Sequence, residues 1–417
     1  MTVMLIAAFV VGLYMAWNIG ANDVANSFGT SVGSGSLNMR QAILIAAVFE
    51  FTGAFFVGGP VAKTISGDIV DVVAFARLVP RPEALGIGML AALLAASVWL
   101  NVATVMGQPV STTHAIIGGV VGFAAVAAGP GCIRWSSLGT IAASWVVSPV
   151  VGAVLAYLVY WAIRKLVLDS RHPVFMASRT LPLAIGGLTA IVLFSVVYRG
   201  LPGLHLDLPL VAACPLSLAA GAAALAGSGV WARRQRRRHV RRAQRYELVE
   251  RWFGYMQIAT ACYMSFAHGA NDVANAVGPL AWTIRLFSGH NRPADAVVVP
   301  AWLLALGGVG IVLGLATYGR KVIEAVGTKI TEITPTRGFA AQFGTATAVL
   351  VFSKLGMPIS TTFVIVGAVM GVGFARGFAA IDLRVIRKIV ASWFVTIPAS
   401  AVLAAVFYWT LMTICLP

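Results

Sequence analysis

Charge is scarce in this chain: only 11% of its 417 residues are Asp, Glu, Lys or Arg, where an ordinary soluble domain carries roughly 25%. That shortfall excludes a water-soluble fold. Cysteine is rarer still. Cys132, Cys214, Cys262 and Cys415 stand far apart and form no C-x-x-C pair, which excludes a disulfide scaffold and a cysteine-ligated metal cluster. A nucleotide-binding glycine loop, a metal triad and a nucleophile–base set are all missing from the sequence. No enzyme, no catalytic residue and no resident cofactor are therefore expected. Acidic residues are the scarcest charge, 14 against 30 Lys and Arg. The net charge of +16 would suit nucleic acid, but the basic residues sit in the breaks between apolar runs, where loops of membrane proteins collect them. No nucleic-acid partner is expected.

What the chain has in abundance is apolar length. Hydrophobic residues make up 59% of it, and at about 20 residues per crossing it resolves into twelve runs. These lie near 2–19, 41–61, 84–106, 110–128, 138–163, 181–198, 208–232, 252–268, 297–318, 338–353, 358–375 and 389–415. The expected fold class is an all-α polytopic membrane protein of about 12 transmembrane helices, with the lipid bilayer as its solvent. The first run has no basic residue ahead of it and no A-x-A pattern after it, so it does not read as a cleaved signal peptide.

If all twelve runs cross, 22 of the 30 basic residues share one side. The positive-inside rule makes that side cytoplasmic. Both termini are then extracytoplasmic and the basic loop 233–251 is cytoplasmic, in a plasma or inner membrane. The stretch RRQRRRHVRRAQR from Arg233 to Arg245 reads first as this topology determinant and second as a docking patch for anionic lipid or a partner.

The chain also repeats itself. GANDVAN occupies Gly20 to Asn26 and again Gly269 to Asn275, and GQPVSTT at Gly107 to Thr113 returns as GMPISTT at Gly356 to Thr362. Both motifs recur at an offset of 249, so they were copied together with their spacing. Farther on, Ser144-Trp145 matches Ser392-Trp393 and Tyr160-Trp161 matches Tyr408-Trp409. We divide the chain into a first transmembrane repeat (1–165), two linking spans with the basic loop (166–250) and a second repeat (251–417). Seven crossings separate the copies, so the second repeat is inverted, an arrangement that secondary transporters use with broken helices at the membrane midplane. Duplicated scaffold alone would preserve apolar residues, whereas here Asn, Asp, Ser and Thr are the best-kept positions.

Each motif has its own chemistry. Asp23 and Asp272 interrupt apolar stretches, and an ionised carboxylate in hydrocarbon costs several kcal/mol unless a cation, a proton or water attends it. Asn22, Asn26, Asn271 and Asn275 add amide oxygens, a hard donor set suited to Na+ or to a proton-titrating carboxylate. The glycine ahead of each Asn-Asp predicts a place where the helix opens. In the second motif, Pro109 and Pro358 predict the start of a half-helix. Ser111, Thr112, Thr113, Ser360, Thr361 and Thr362 would then crowd hydroxyls and free N–H groups at helix N-termini, which favour an anion. A dianion and two carboxylates share a low-dielectric cavity only in the company of cations or protons.

The paired GANDVAN and G-[QM]-P-[VI]-S-T-T motifs resemble the PiT family of inorganic phosphate transporters, over nearly the whole chain outside the central joint. The resemblance implies an inverted-repeat fold and import of inorganic phosphate coupled to Na+ or H+. Phosphate would rest on Ser111, Thr112, Thr113, Ser360, Thr361 and Thr362. Coupling would fall to Asn22, Asp23, Asn26, Asn271, Asp272, Asn275 and the intramembrane Glu50, with Na+ at Asp23, Asn26, Asp272 and Asn275. A sulfate permease of the same fold and an uncoupled anion channel are the alternatives. A homodimer is compatible with the sequence, which does not itself fix an oligomeric state. Some positions depart from the family pattern: the S-T-T-H of the first copy, ending in His114, becomes S-T-T-F with Phe363, and neutral Gln342 stands where relatives carry an acid. Lys354 reads as a snorkelling lysine, and His268, opposite Ile19 in the other copy, as a hydrogen-bonded helix histidine.

Overall fold

The computed structural model describes residues 2–106, 110–198, 208–236, 244–288, 299–319, 334–377 and 383–415. Fourteen α-helices account for almost all of these: α1 (Thr2–Gly33), α2 (Met39–Val57), α3 (Gly59–Gly67), α4 (Val72–Leu78), α5 (Pro82–Val105), α6 (Thr112–Ala128) and α7 (Trp135–Ile163) in the first part. After these come α8 (Pro173–Val197), α9 (Leu210–Arg236), α10 (Arg245–Phe287), α11 (Ala301–Gly314), α12 (Pro335–Lys354), α13 (Thr361–Arg376) and α14 (Leu383–Cys415). One antiparallel bridge, Val70 to Ile133, is the only extended pairing among the described residues. Helices dominate because a chain in lipid must satisfy its backbone polar groups within each segment. Eight of the described helices are long and apolar enough to cross a membrane, while α6 and α13 are shorter.

The twelve apolar runs do not all cross. Thr336, at the start of α12, donates its backbone N–H and its hydroxyl to the Glu250 carboxylate of α10 at 3.0 and 2.9 Å. The far end of α13 returns to the same face, where Arg164 Nη1 donates to the Ala375 carbonyl at 3.0 Å and Tyr246 reaches Leu168. Helices α12 and α13 thus form a re-entrant hairpin. The copy α5–α6 enters from the opposite face: Thr283, late in α10, reaches the Gly86 carbonyl near the start of α5. The chain leaving α6 is tied back to the α3–α4 segment by Asp71 N–H to Cys132 O and Arg134 N–H to Ile69 O. A hairpin spends two runs and returns to its own side, so the parity behind the basic-side count survives. We call the face bearing Arg164, Arg251 and Arg376 the basic face; α1 ends there and α10 begins there.

The two repeats are interleaved rather than set side by side. Helix α1 packs on α11 and α10 on α2; α6 packs on α14 and α13 on α7. Each crossing is closed by glycine. A Cβ on Gly269 would collide with the Glu50 carbonyl and one on Gly53 with that of Phe266, while the mirror crossing repeats this with Gly20 on Ile311 and Gly314 on Trp17. Gly118 and Gly122 lie on Ile397 and Ala401 as Gly367 and Gly371 lie on Pro149 and Ala153. Small residues that let helix backbones touch are the means by which helices associate in lipid.

Here the sequence-based expectation of an opened helix at GANDVAN is corrected. Helix α1 runs 32 residues and α10 runs 43 without a break at either motif. Gly20 and Gly269 serve close approach, not unwinding, and the backbone stays satisfied inside the helix. The breaks fall instead at Gly58 between α2 and α3 and at the two hairpin tips.

Candidate functional site

Two serine caps build the hairpin tips. Ser111 Oγ accepts the His114 N–H at 3.2 Å and Ser360 Oγ accepts that of Phe363 at 3.3 Å, which starts α6 and α13. Pro358 therefore lies ahead of the helix rather than in its first turn; the turn is made by Gly356, at φ +71°, and Trp145 of α7 holds the Pro358 carbonyl at 3.1 Å. Pro109 and its two preceding residues lie outside the described residues. The caps leave the first N–H groups of each helix without an intrahelical acceptor, and each serine keeps its own O–H free to donate.

The tips meet. Thr361 Oγ1 lies 3.2 Å and Thr112 Oγ1 3.5 Å from the same oxygen, Oδ2 of Asp272. Those two hydroxyls come from opposite repeats. The outer hydroxyls tie each hairpin to the other repeat's long helix: Asn26 Nδ2 donates to Thr362 Oγ1 at 2.9 Å, and its mirror image, Asn275 Nδ2, donates to Thr113 Oγ1 at 3.2 Å. Asn275 also donates to Thr112 Oγ1 at 3.3 Å, and Thr113 Oγ1 donates to the Ile359 carbonyl at 2.9 Å. Set to donate, the Asn271 amide gives its hydrogens to Asp272 Oδ1 and Ile359 O, both at 3.0 Å, and accepts from Ser353. All six hydroxyl residues are buried, 5% exposed at most.

Asp23 sits in the same cluster. Its carboxylate, that of Asp272 and a nitrogen of His268 lie within 4.8 Å of one another. Two carboxylates so placed in a buried site repel each other and select for a cation between them. Asn22 is half-buried, and its buried amide nitrogen donates no hydrogen bond.

His268 is more than a satisfied helix histidine. Its Nδ1 lies 2.7 Å from Glu50 Oε2 and its Nε2 3.0 Å from Asp272 Oδ2, all three side chains fully buried. This is what draws Glu50 into the centre. The signal was legible as an i, i+4 pair of His268 and Asp272 on one helix face. By the matched glycine crossings, Glu50 and His268 correspond to Ile311 and Ile19, so only one of the two crossings carries this acid–base pair. His114 packs against Trp145 and Phe363, with ring centroids 3.9 and 4.5 Å apart, and neither of its nitrogens has a partner. Lys354 donates to the Tyr198 carbonyl at 3.2 Å.

A re-entrant hairpin from each face, tip to tip at a buried polar centre between inverted copies, defines a helical membrane transporter. The profile of the Phosphate transporter family matches residues 19–404, and the chain belongs to that family. It is 42% identical to a putative phosphate permease of Haemophilus influenzae, over 97% of this chain and 96% of that one. With the chloroplastic inorganic phosphate transporter 2-1 of Arabidopsis thaliana it shares 44% identity over 97% of this chain and 71% of the relative. Among solved structures, one described as the sodium-dependent phosphate transporter superposes with a TM-score of 0.91, at 42% identity over 99% of this chain and all of the other.

Proposed function

We propose that the protein imports inorganic phosphate by symport with Na+, the anion resting between the α6 and α13 tips and the cations at the Asp23 and Asp272 motifs. The observation that carries this reading is the convergence of Thr112 and Thr361, from opposite repeats, on one oxygen of Asp272. In the described arrangement a carboxylate oxygen takes the hydroxyl donors. An arriving phosphate oxygen would compete for the same donors, and Na+ would take over the neutralisation of the carboxylates. Anion and cations then enter together because neither is tolerated alone in the buried centre. A Na+-dependent solved relative at 42% identity supports Na+ over H+.

Orientation follows from charge. With the basic face cytoplasmic, both termini lie outside, and an inside-negative potential opposes each negative charge entering by about 2.3 kcal/mol per 100 mV. Enough Na+ to make the loaded site net positive turns that potential into a driving force.

Purified protein in proteoliposomes, given a Na+ gradient at fixed pH, should accumulate labelled phosphate above its external concentration, and excess sulfate should compete poorly. Accumulation that follows a proton gradient with Na+ absent would replace the coupling ion. Sulfate accumulation would move the substrate. Equilibration without accumulation would make the protein a passive anion channel.

A further inference from the structure

Where α1, α10 and the first helix of a hairpin meet, the layers on the basic side of the centre are polar and their equivalents at the 249 offset are apolar, while Asn18, Asn101 and Tyr14 form a separate polar group on that other side. From Asp272 toward the basic face, α10 presents His268, Ser265, Thr260 and Gln257, while α1 presents Ser27, Thr30 and Ser31 and the turn after it Ser34. Gln342 of α12 joins the two stripes: its amide donates to the Ser27 carbonyl at 2.8 Å and Ser31 Oγ at 3.0 Å, and its oxygen accepts from Thr260 at 3.1 Å. One layer farther out, Gln257 Oε1 accepts from Ser34 at 2.7 Å and Ser36 at 2.8 Å. Gly338 leaves the space that the Gln257 amide fills.

The offset of 249 supplies an internal control. Gln342 corresponds to Leu93, Thr260 to Val11, Ser27 to Ala276, Ser31 to Leu280, and the Gln257–Gly338 pair to Ala8 and Met89. The same helices therefore pack in the other half with apolar side chains of similar size, so packing does not demand the polar set. Thr283, which mirrors Ser34, spends its hydroxyl on the Pro279 and Gly86 carbonyls. In the polar half, by contrast, the Thr30 and Ser265 hydroxyls and the Gln257 amide nitrogen are buried with no hydrogen-bond partner. Buried polar atoms left unpaired among others that are paired mark a place where water or an ion belongs.

We propose that this column is the route by which the cotransported cation and its water pass between Asp272 and the basic face, and that the mirror half is a dry seal in this conformation. Carbonyl, hydroxyl and amide oxygens at successive helical turns are ligands for a hard monovalent cation, and they replace its hydration shell stepwise. That the cargo is Na+ rests on the symport reading; the contrast between a wettable and a dry half does not.

The test uses the full-length protein with its four cysteines replaced, carrying single cysteines at two mirrored pairs: Ser31→Cys against Leu280→Cys, and Gln257→Cys against Ala8→Cys. A cationic, membrane-impermeant methanethiosulfonate is applied in turn to each face of sealed vesicles. Ser31→Cys and Gln257→Cys are expected to react at least tenfold faster than their mirror partners, only from the basic face, and more slowly when Na+ is present. Equal rates within the pairs, reaction from the other face, or inert column cysteines would overturn the proposal. Because reactivity is read without transport, its failure is distinct from failure of phosphate uptake. As a second readout, the near-isosteric Thr260→Val should slow 22Na+ exchange at least tenfold while leaving phosphate binding in detergent intact. Unchanged exchange would reduce the column to structural hydrogen bonding and sink the idea.

Discussion

Asp272 collects more partners than any other side chain at the centre: two threonine hydroxyls, the Asn271 amide and His268 surround its two oxygens. Replacing it with Asn keeps the shape and removes the charge. Losing one partner of a buried charged pair typically costs about 2–5 kcal/mol, so Asp272→Asn should weaken Na+ activation of uptake tenfold or more. Concentration dependence of uptake on Na+ checks this, with folding followed by gel filtration in detergent. A retained wild-type Na+ response would remove Asp272 from the cation site. Glu50 and His268 give a second residue-scale prediction. Removing either alone, as Glu50→Ile or His268→Ile, strands a buried partner and should cost about 3–5 kcal/mol. The double replacement copies the Ile311 and Ile19 of the mirror crossing, and thermal inactivation half-lives should recover most of that loss.

At the scale of helices, glycine and serine decide where a segment continues and where it stops. Gly20 and Gly269 sit where backbones touch, so Gly269→Leu should cost about 1–3 kcal/mol or more through overpacking. Gly187, inside α8, faces open space where a methyl group would meet nothing within 4 Å, and Gly187→Ala should leave thermal stability unchanged or raise it by about 0.5–1 kcal/mol. Ser111 and Ser360 act as caps in sequence-equivalent places. Removing either hydroxyl should cost roughly 1 kcal/mol of helix stability, and Ser111→Ala with Ser360→Ala should also weaken phosphate binding measured by calorimetry. A double mutant with unaltered affinity would mean the serines only hold the tips.

For the whole molecule, interleaving ties each hairpin tip to helices of both repeats. The ties from Asn26 to Thr362 and from Asn275 to Thr113 cross that boundary symmetrically, so each long helix holds the other repeat's hairpin. On the symport reading the loaded site is net positive, and import should respond to voltage. A potassium diffusion potential of 100 mV, inside negative, is worth about 2.3 kcal/mol per charge and should raise steady-state phosphate accumulation severalfold. Reversal of the potential should lower it, and indifference to voltage would require an electroneutral stoichiometry.

The sequence by itself determined the membrane-embedded helical class, the inverted duplication and the composition of the centre. Hydropathy follows directly from side-chain transfer free energies, and Asp, Asn, Ser and Thr kept at a fixed offset show up without any coordinates. It did not determine that runs such as 110–128 and 358–375 turn back, because a half-helix in protein and a full helix in lipid have the same apolar composition. Nor did it distinguish a glycine that opens a helix from one that lets a neighbour's carbonyl approach; the backbone of α1 and α10 stayed closed because those helices pack at Gly20 and Gly269. Only the tertiary structure brought Glu50 to His268 and gathered Thr112 and Thr361 on Asp272. Those contacts link residues more than 80 positions apart, and no local pattern encodes a distance that depends on how four separate helices cross.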